Sequence, residues 1–356
     1  MGENPSMPSS SGALRVGVIG VGAFGRNHAR VYHDLQSDSS QNVQLVGVVD
    51  SDFARAQAVA REFGTSAFRS IDELIQAGAQ AVSVAVPTAA HLEVARQLMQ
   101  KGVDVLIEKP LTATLAEADE LIGLAERYGC IAQTGHLERF NPAVRATLPL
   151  LTQPMFFEVH RLSIFTPRSL DVDVVLDLMI HDIDIVLTFA RFAVTDVRAV
   201  GLPILSQKTD IANVRMEFES GCVANFTASR VSTERVRKLR FFQPHQYVSL
   251  DYSRQDVLVL TIADSAPDPA ALDPFNPASV AASAVPGITP FKPLVEQQEP
   301  LRAELISFLR AVRERSRPEV TLEDGRRALA VATQVVEAIA AHSHRVRLPE
   351  LTRAES

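Results

Sequence analysis

The residues best suited to chemistry include a lysine that follows a short apolar segment. Residues 105–110 read VLIEKP, a strand pattern that ends in Glu108-Lys109-Pro110. Pro110 disfavours a helical conformation for the residue before it, so Lys109 should leave the strand in an extended conformation. Open α/β sheets bind ligands at the carboxyl ends of their strands. The pattern therefore predicts a ligand-facing lysine, with an ordinary surface lysine in a loop as the alternative.

A second candidate group lies on residues 174–189, VVLDLMIHDIDIVLTF, which are apolar nearly all round and predict a buried helix. Asp177, His181 and Asp184 recur at i, i+4 and i+7 and should share one face of this helix. A buried polar stripe must be paired or must line a cavity. Two alternatives stay open: a structural Asp–His pair, and a divalent metal site for which no fourth ligand is evident.

A glycine loop near the start of the chain predicts a dinucleotide site. Residues 14–25, LRVGVIGVGAFG, pass from an apolar strand into Gly20-x-Gly22-x-x-Gly25, and a helix-compatible segment follows. In this order, the first glycine permits the turn, the second admits a pyrophosphate, and the third allows close packing of helix on strand. The phosphates would lie at the positive end of the helix.

An acidic residue after the next strand indicates which dinucleotide binds. Residues 43–49, VQLVGVV, read as a buried strand ending at Asp50, whose carboxylate can accept hydrogen bonds from a ribose diol. A 2′-phosphate would face both Asp50 and Asp52, at a cost on the order of 1 kcal/mol per pair near a surface. NAD is therefore favoured over NADP, although Arg55, one turn later, is placed to contact a phosphate.

Composition excludes several functional classes. The chain has 356 residues, 46% of them hydrophobic, and a net charge of −7 from 35 basic and 42 acidic residues, so it has no electrostatic footprint for nucleic acid. Residues 172–194 are apolar but contain several acidic groups, which argues against a membrane span. Two widely separated cysteines, predicted to be reduced, and the absence of a signal-peptide pattern favour the cytoplasm.

The distribution of patterns predicts two domains after a disordered tail at residues 1–13. Residues 14–136 alternate strand-like and helix-like segments, which predicts a Rossmann domain of the α/β class with a doubly wound parallel sheet. Its strands are expected at 14–19, 43–49, 81–86, 103–107 and 131–134.

Residues 137–350 are predicted to form a C-terminal α+β domain with a large, mostly antiparallel open sheet. Its strands are expected at 155–164, 197–205, 211–218, 222–231, 236–242, 247–252 and 257–262. Residues 264–297, rich in Pro, Ala and Ser, predict a long mobile loop. Helical patterns at 298–314 and 322–341 follow, and these helices are candidates to pack back on the first domain.

Taken together, these motifs resemble the glucose-fructose oxidoreductase, inositol dehydrogenase and rhizopine-catabolism (Gfo/Idh/MocA) family over nearly the whole chain. The resemblance rests on the glycine loop, Pro87-Thr88-x-x-His91, Glu108-Lys109-Pro110 and Asp177-x-x-x-His181. It implies a catalytic group of Lys109, Asp177 and His181, and a homodimer or homotetramer assembled through the open sheet. With the loop residues, the cofactor-binding set becomes Gly20, Gly22, Ala23, Phe24, Gly25, Asp50, Arg55, Pro87, Thr88, His91 and Glu108.

Segments 135–144, 161–168 and 171–187 are similar to the family members that oxidise the 3-hydroxyl of UDP-N-acetylglucosamine. The expected reaction is therefore hydride transfer from a sugar alcohol to NAD. His181, oriented by Asp177, is suited to remove the hydroxyl proton, and Lys109 to stabilise the alkoxide, although the two roles could be exchanged. The substrate-binding candidates are Lys109, Arg139, Asn141, Arg161, Arg168 and His181.

Alternatives remain for the function and for these contacts. A family dehydrogenase of a free polyol or sugar such as an inositol, and a non-catalytic sensor of NAD or sugar, stay open. The arginines could instead be ordinary surface residues, and Asn141 a helix cap.

Overall fold

A computed structural model describes residues 12–166, 172–262 and 287–346. The chain separates into two compact units. The first contains the described residues up to Gly135 and the segment Leu301–Glu323, and the second contains those from His136 to Pro300 and from Asp324 onward. Among the described residues, no helix is long and apolar enough to cross a membrane.

The first unit is built on a six-stranded sheet in which all neighbouring strands are parallel, in the order β3-β2-β1-β4-β5-β6. Its strands are β1 Leu14–Ile19, β2 Val43–Val49, β3 Ser66–Phe68, β4 Ala81–Val84, β5 Asp104–Glu108 and β6 Ala132–Gly135. The order reverses between β1 and β4, which is the point where doubly wound sheets bind their ligands.

Helices cover both faces of this sheet. They are α1 Ala23–Gln36, α2 Phe53–Glu62, α3 Ile71–Gln76, α4 His91–Met99 and α5 Leu115–Tyr128. Helix α1 and a later helix, α8 (Pro300–Glu314), pack on one face, where Tyr32, Leu305 and Phe308 join one apolar core. Leu98 and Leu121 from α4 and α5 join the core on the other face.

The second unit contains an eight-stranded sheet in the order β14-β13-β12-β11-β7-β10-β9-β8. Its strands are β7 Phe156–Ile164, β8 Val194–Leu202, β9 Ile211–Phe218, β10 Val223–Ser232, β11 Val236–Gln243, β12 Gln246–Asp251, β13 Asp256–Ile262 and β14 Ile288–Phe291. All neighbours are antiparallel except β7 and β10, which run parallel.

Three helices of this unit are α6 Pro142–Thr147, α7 Ile180–Ala190 and α9 Leu322–Val346. Strand β9 alternates between buried side chains, such as Val214 and Met216, and outward ones, as expected for a sheet covered on one face. Helix α7 supplies Ile183 and Phe189 to the core beneath that sheet, and α9 supplies Val335.

Both predicted sheets are confirmed, and two of their strands were missed. Strand β3 has three residues, too few for a recognisable alternation. Strand β14 lies inside the predicted loop 264–297, so the loop prediction was wrong at Ile288–Phe291, which pairs with β13. The Pro-rich composition of the region hid that short β-branched segment. Residues 263–286 lie outside the described residues, as do residues 1–11 of the tail predicted at 1–13.

Candidate active site

The glycine loop connects β1 to α1, and its conformation is possible only because Gly20 and Gly25 have no side chains. Gly20 has φ +82°, and a Cβ there would lie 2.6 Å from the carbonyl oxygen of Ala85. A Cβ on Gly25 would lie 1.7 Å from the Gly20 carbonyl oxygen, so that helix and loop could not pack as they do. Gly22 precedes α1 and provides no side-chain cap, which leaves the first amides of this helix available to an anion.

Asp50 lies directly after β2 and is held from two sides. Its carboxylate accepts the backbone N–H groups of Val21 and Asp52, each at 2.8 Å. Arg55 Nη1 lies 3.3 Å from Oδ1 of Asp50, and Nη2 lies 3.4 Å from Oδ2 of Asp52. A carboxylate has about four acceptor positions, and that of Asp50 is contacted by the two backbone N–H groups and by the half-exposed Arg55.

These residues line a groove of about 610 Å³. Of the predicted cofactor residues, those lining it are Gly20, Gly22, Ala23, Phe24, Asp50, Arg55 and Pro87. The sequence interpretation missed Arg69 and Ser70, which follow β3 and line the same groove. The Arg69 guanidinium lies 3.8 Å from the centre of the Phe53 ring. Recognition of the short strand β3 would have indicated this loop, because it ends at the same sheet edge.

Gly25, Thr88, His91 and Glu108 do not line that groove. His91 is buried, and its Nε2 lies 2.9 Å from the carbonyl oxygen of Val86. Its Nδ1 lies 3.1 Å from those of Pro110 and Leu111. His91 therefore joins the segment after β4 to the turn that carries Lys109, so it is placed to position that turn.

Strand β5 ends at Glu108, and the next residue, Lys109, is partly exposed. The peptide bond between Lys109 and Pro110 is cis. The Glu108 carboxylate is buried, with Oε1 3.0 Å from Nε2 of His28 on helix α1. The position of Lys109 is thus set by a strand end whose last side chain is anchored in the interior.

Asp177 and His181 lie where the helix geometry changes. Val175–Met179 forms a π-helical turn and α7 begins at Ile180, whereas the sequence predicted one regular helix. Such turns are frequent at functional sites. Asp177 and His181 are both partly exposed, while Asp184 is buried and paired with Arg139. Of the predicted buried stripe, only Asp184 is fully buried, and it is paired as a buried carboxylate must be. The described residues contain no group of three side chains placed to hold a metal ion.

Arg161 is buried in an ion network. Its side chain is 3% exposed, with Nε 2.6 Å and Nη2 2.9 Å from the carboxylate of Asp182 and Nη1 3.2 Å from that of Glu138. Burial opposes its charge, but the two carboxylates outweigh this effect and raise the pKa of Arg161. Because its donors are committed inside the unit, the structure favours a structural role over the predicted contact with substrate.

Arg139 and Asn141 are also engaged within the second unit. Arg139 binds Asp184 through Nε at 2.6 Å and Nη2 at 2.7 Å. Burial opposes ionisation of Asp184, but the charges of His136 and Arg139 outweigh it and hold its pKa below the ordinary value. Asn141 accepts the Ala143 N–H at 3.1 Å and caps α6, as the alternative interpretation has it. Arg168 lies outside the described residues.

The first unit has the features that NAD binding requires. The uncapped helix N-terminus would hold the pyrophosphate, the cradle at Gly20 and Gly25 leaves no room for side chains, and Asp50 stands at the end of the neighbouring strand. The partly exposed Lys109 and His181 have the chemistry of a charge stabiliser and a general base.

Comparison with known proteins places both units in one family. Residues 14–136 match the oxidoreductase family with an NAD-binding Rossmann fold, and residues 153–243 match the GFO/IDH/MocA C-terminal domain. UDP-N-acetylglucosamine 3-dehydrogenase of Acidithiobacillus ferrooxidans is 37% identical over 93% of this chain and 99% of its own length. scyllo-Inositol 2-dehydrogenase (NAD(+)) of Bacillus subtilis is 28% identical over 62% of this chain and 68% of its own length.

Solved structures agree with this comparison. A crystal form of the Acidithiobacillus ferrooxidans enzyme superposes with a TM-score of 0.81 at 36% identity, covering 92% of this chain and 98% of that one. A levoglucosan dehydrogenase in complex with NADH and levoglucosan gives 0.78 at 18% identity, covering 93% and 98%, which shows a shared fold.

Proposed function

This chain belongs to the Gfo/Idh/MocA family of NAD-dependent oxidoreductases, and from that membership we propose that it oxidises the 3-hydroxyl of UDP-N-acetylglucosamine to a ketone. The observation that carries the proposal is the 37% identity to an enzyme of that activity, which extends over 93% of this chain. The alcohol loses a proton and a hydride, and NAD, when bound, takes the hydride on its nicotinamide ring.

The residues of the first unit hold the cofactor in this proposal. The amides at the start of α1 would hold the pyrophosphate, and Asp50 would accept hydrogen bonds from the ribose once Arg55 has moved away from its carboxylate. Arg55 is half exposed and its contacts with Asp50 are 3.3 and 3.5 Å long, which supports such a movement. Arg69 and Ser70 complete the same groove.

We assign the proton chemistry to Lys109, Asp177 and His181. His181 accepts the hydroxyl proton, Asp177 keeps the imidazole in the orientation that this needs, and the Lys109 ammonium stabilises the developing alkoxide. The π-helical turn at Val175–Met179 supports the assignment because it contains Asp177 and because such turns are frequent at functional sites. The reverse assignment, with Lys109 as the proton acceptor, uses the same residues.

The test is to mix the purified protein with NAD and UDP-N-acetylglucosamine and to follow the absorbance of reduced nicotinamide, with an aminotransferase added to remove the keto product. UDP-glucose and free N-acetylglucosamine are the matched controls, since each removes one feature of the substrate. We expect turnover of the acetylated nucleotide sugar above that of both controls.

The inositol dehydrogenase relative supports a second candidate substrate, a free polyol. Turnover of inositol without response to any nucleotide sugar would replace the first candidate.

We further propose a cytoplasmic homo-oligomer assembled through the outward face of the second sheet. Phe242 is 40% exposed and lies opposite Phe156 and Tyr247 on the neighbouring strands, with ring centres 5.7 and 5.1 Å away. An exposed aromatic group of this kind suits burial against a second copy. Light scattering of wild type and Phe242→Glu tests this proposal, which requires a smaller particle for the variant.

The cytoplasmic location is supported by the cysteines. Both cysteines are unpaired, which suits a reducing compartment.

A further inference from the structure

A buried polar layer lies in the first unit, between the parallel sheet and the helices α1 and α8. We use this name for His28, Tyr32, Ser83, Glu108 and Glu304, all of which are buried. Ser83 pairs with Leu106, two positions before Glu108, so side-chain alternation places Ser83 and Glu108 on the same face of the sheet. The Tyr32 hydroxyl lies 2.9 Å from Oγ of Ser83. The layer lies outside the groove described for the cofactor.

Glu304, on α8, is unusual within this layer. Its side chain is fully buried, and within the described chain neither carboxylate oxygen has a hydrogen-bond partner. An isolated ionised carboxylate is too costly to bury, so a group in this environment takes up a proton. Burial and then the negative charge of Glu108 raise the pKa of Glu304 well above its usual range.

Glu108 is the second carboxylate of the layer and borders the predicted catalytic lysine. Oε1 lies 3.0 Å from Nε2 of His28, and Oε2 accepts the backbone N–H of Lys109 at 3.3 Å. A Cβ on Gly135 would lie 2.8 Å from the same carboxylate, so the neighbouring strand confines Glu108 closely. A displacement of Glu108 would therefore move the backbone from which Lys109 emerges.

We propose that Glu304 is a positioning residue of the dehydrogenase, which by staying protonated keeps its own negative charge out of the layer and thereby fixes the turn that carries Lys109. Two carboxylates that share a site hold one proton more tightly than either would alone. Glu304 keeps its proton throughout turnover and transfers none of it to substrate. This inference rests on the proposed function, because it assigns a purpose to the position of Lys109.

At alkaline pH, Glu304 should lose its proton. The titratable groups of the layer around Glu304 are Glu108 on β5 and His28 and Tyr32 on α1, and burial raises the pKa of Tyr32 as well. Deprotonation of Glu304 would put two like charges into the layer, displace Glu108 and misplace Lys109. We therefore expect kcat to fall at high pH, with little change in the KM for NAD.

Two variants of Glu304 test the inference, with Ser307→Ala as the matched control on the same helix. Ser307 contacts Glu319 at 3.3 Å rather than the layer. Glu304→Gln imitates the protonated acid and should keep kcat within about twofold at neutral pH while losing the alkaline fall. Glu304→Leu removes the ionisable group altogether, so kcat at neutral pH should stay near that of Glu304→Gln and the alkaline fall should again be lost. Ser307→Ala should retain the wild-type profile.

A wild-type pH profile in Glu304→Leu would overturn the inference, as would an alkaline fall that persists unchanged in Glu304→Gln. Infrared spectroscopy provides a readout independent of the sugar: the carbonyl band of a protonated buried carboxylic acid should be present in wild type and absent from Glu304→Gln. If no sugar is turned over but the band is present, the proposed function fails while the protonation of Glu304 stands. If the band is absent, the inference fails whatever the substrate.

Discussion

Two regions of the molecule, the ion networks of the second unit and the buried polar layer of the first, treat their buried carboxylates in different ways. In the second unit, Asp182 and Asp184 each bind an arginine through two hydrogen bonds of 2.6–2.9 Å. In the first unit, Glu108 contacts His28, and Glu304 has no hydrogen-bond partner among the described residues. Arginine stabilises the charged form of a buried carboxylate, whereas a buried acid without such a partner takes up a proton and responds to pH.

This comparison also separates structural residues from chemical ones. The predicted substrate-binding residues Arg139 and Arg161 are committed to the matched networks of the second unit. Lys109 and His181 are partly exposed. Residues locked into buried ion pairs should therefore affect stability when they are replaced, and the partly exposed pair should affect the rate.

The largest expected effect is on the rate. Lys109→Ala and His181→Ala should each lower kcat/KM by about 10²–10⁴, the usual contribution of a positioned acid or base, while the free energy of unfolding stays near wild type. Steady-state kinetics measures the rate, and retained NADH fluorescence shows that the cofactor still binds. A variant of either residue that keeps wild-type kcat/KM would remove it from the catalytic group.

Replacement of Arg161 should give the largest loss of stability. Arg161→Met removes one partner of a buried network and leaves Asp182 and Glu138 uncompensated, at a cost of about 3–5 kcal/mol in the free energy of unfolding. Chemical denaturation at neutral pH measures this loss. The control is the double variant Arg161→Met with Asp182→Leu, which leaves only Glu138 uncompensated and should recover part of the stability. No recovery would mean that packing, rather than charge matching, makes Arg161 necessary.

Asp50 is intermediate between a carboxylate paired with a buried arginine and one without a partner, because it is buried but its arginine, Arg55, is half exposed. Asp50→Asn keeps the shape of the side chain and loses its charge, so the Kd of NAD should rise about tenfold, or about 1.4 kcal/mol, and the preference over NADP should shrink. Fluorescence titration with both reduced cofactors measures these changes. Arg55→Ala is the control and should tighten NADH binding, since Arg55 competes for the same carboxylate. An unchanged preference in Asp50→Asn would place the selectivity at Arg69 and Ser70 instead.

Patterns within short windows of the sequence predicted both sheets and the motif residues. The glycine loop and VLIEKP specify local backbone geometry, because glycine readily adopts the positive φ seen at Gly20 and proline restricts the residue before it. Strands β1, β2 and β9 have the predicted bounds because their periodicity is continuous. Strand β3 is too short for such a signal, and the short β14 lies within a Pro-rich segment.

Contacts between distant segments could not be predicted in the same way. Arg161 and Asp182 are 21 positions apart, and Glu108 and Glu304 are nearly two hundred apart, so no local pattern reveals that they meet. Arg161 seemed suited to a diphosphate because arginine is, but its surroundings determine whether those donors remain available. The π-helical turn was missed for a related reason: the helical periodicity of residues 174–189 carries no mark of one wider turn.

The smallest expected effect is a change in the pH dependence of stability caused by the buried, unpartnered Glu304. The pKa of Glu304 is raised in the folded protein above the ordinary glutamate value of 4.5, so the folded state binds the proton more tightly than the unfolded state. Its contribution to stability is complete below 4.5 and is lost as the pH rises toward the folded pKa. Relative to Glu304→Gln, which does not titrate, wild type should therefore lose stability steadily from pH 5 upward in parallel denaturation series. A constant difference between the two proteins across that range would mean that Glu304 ionises in the folded protein as it does in the unfolded one.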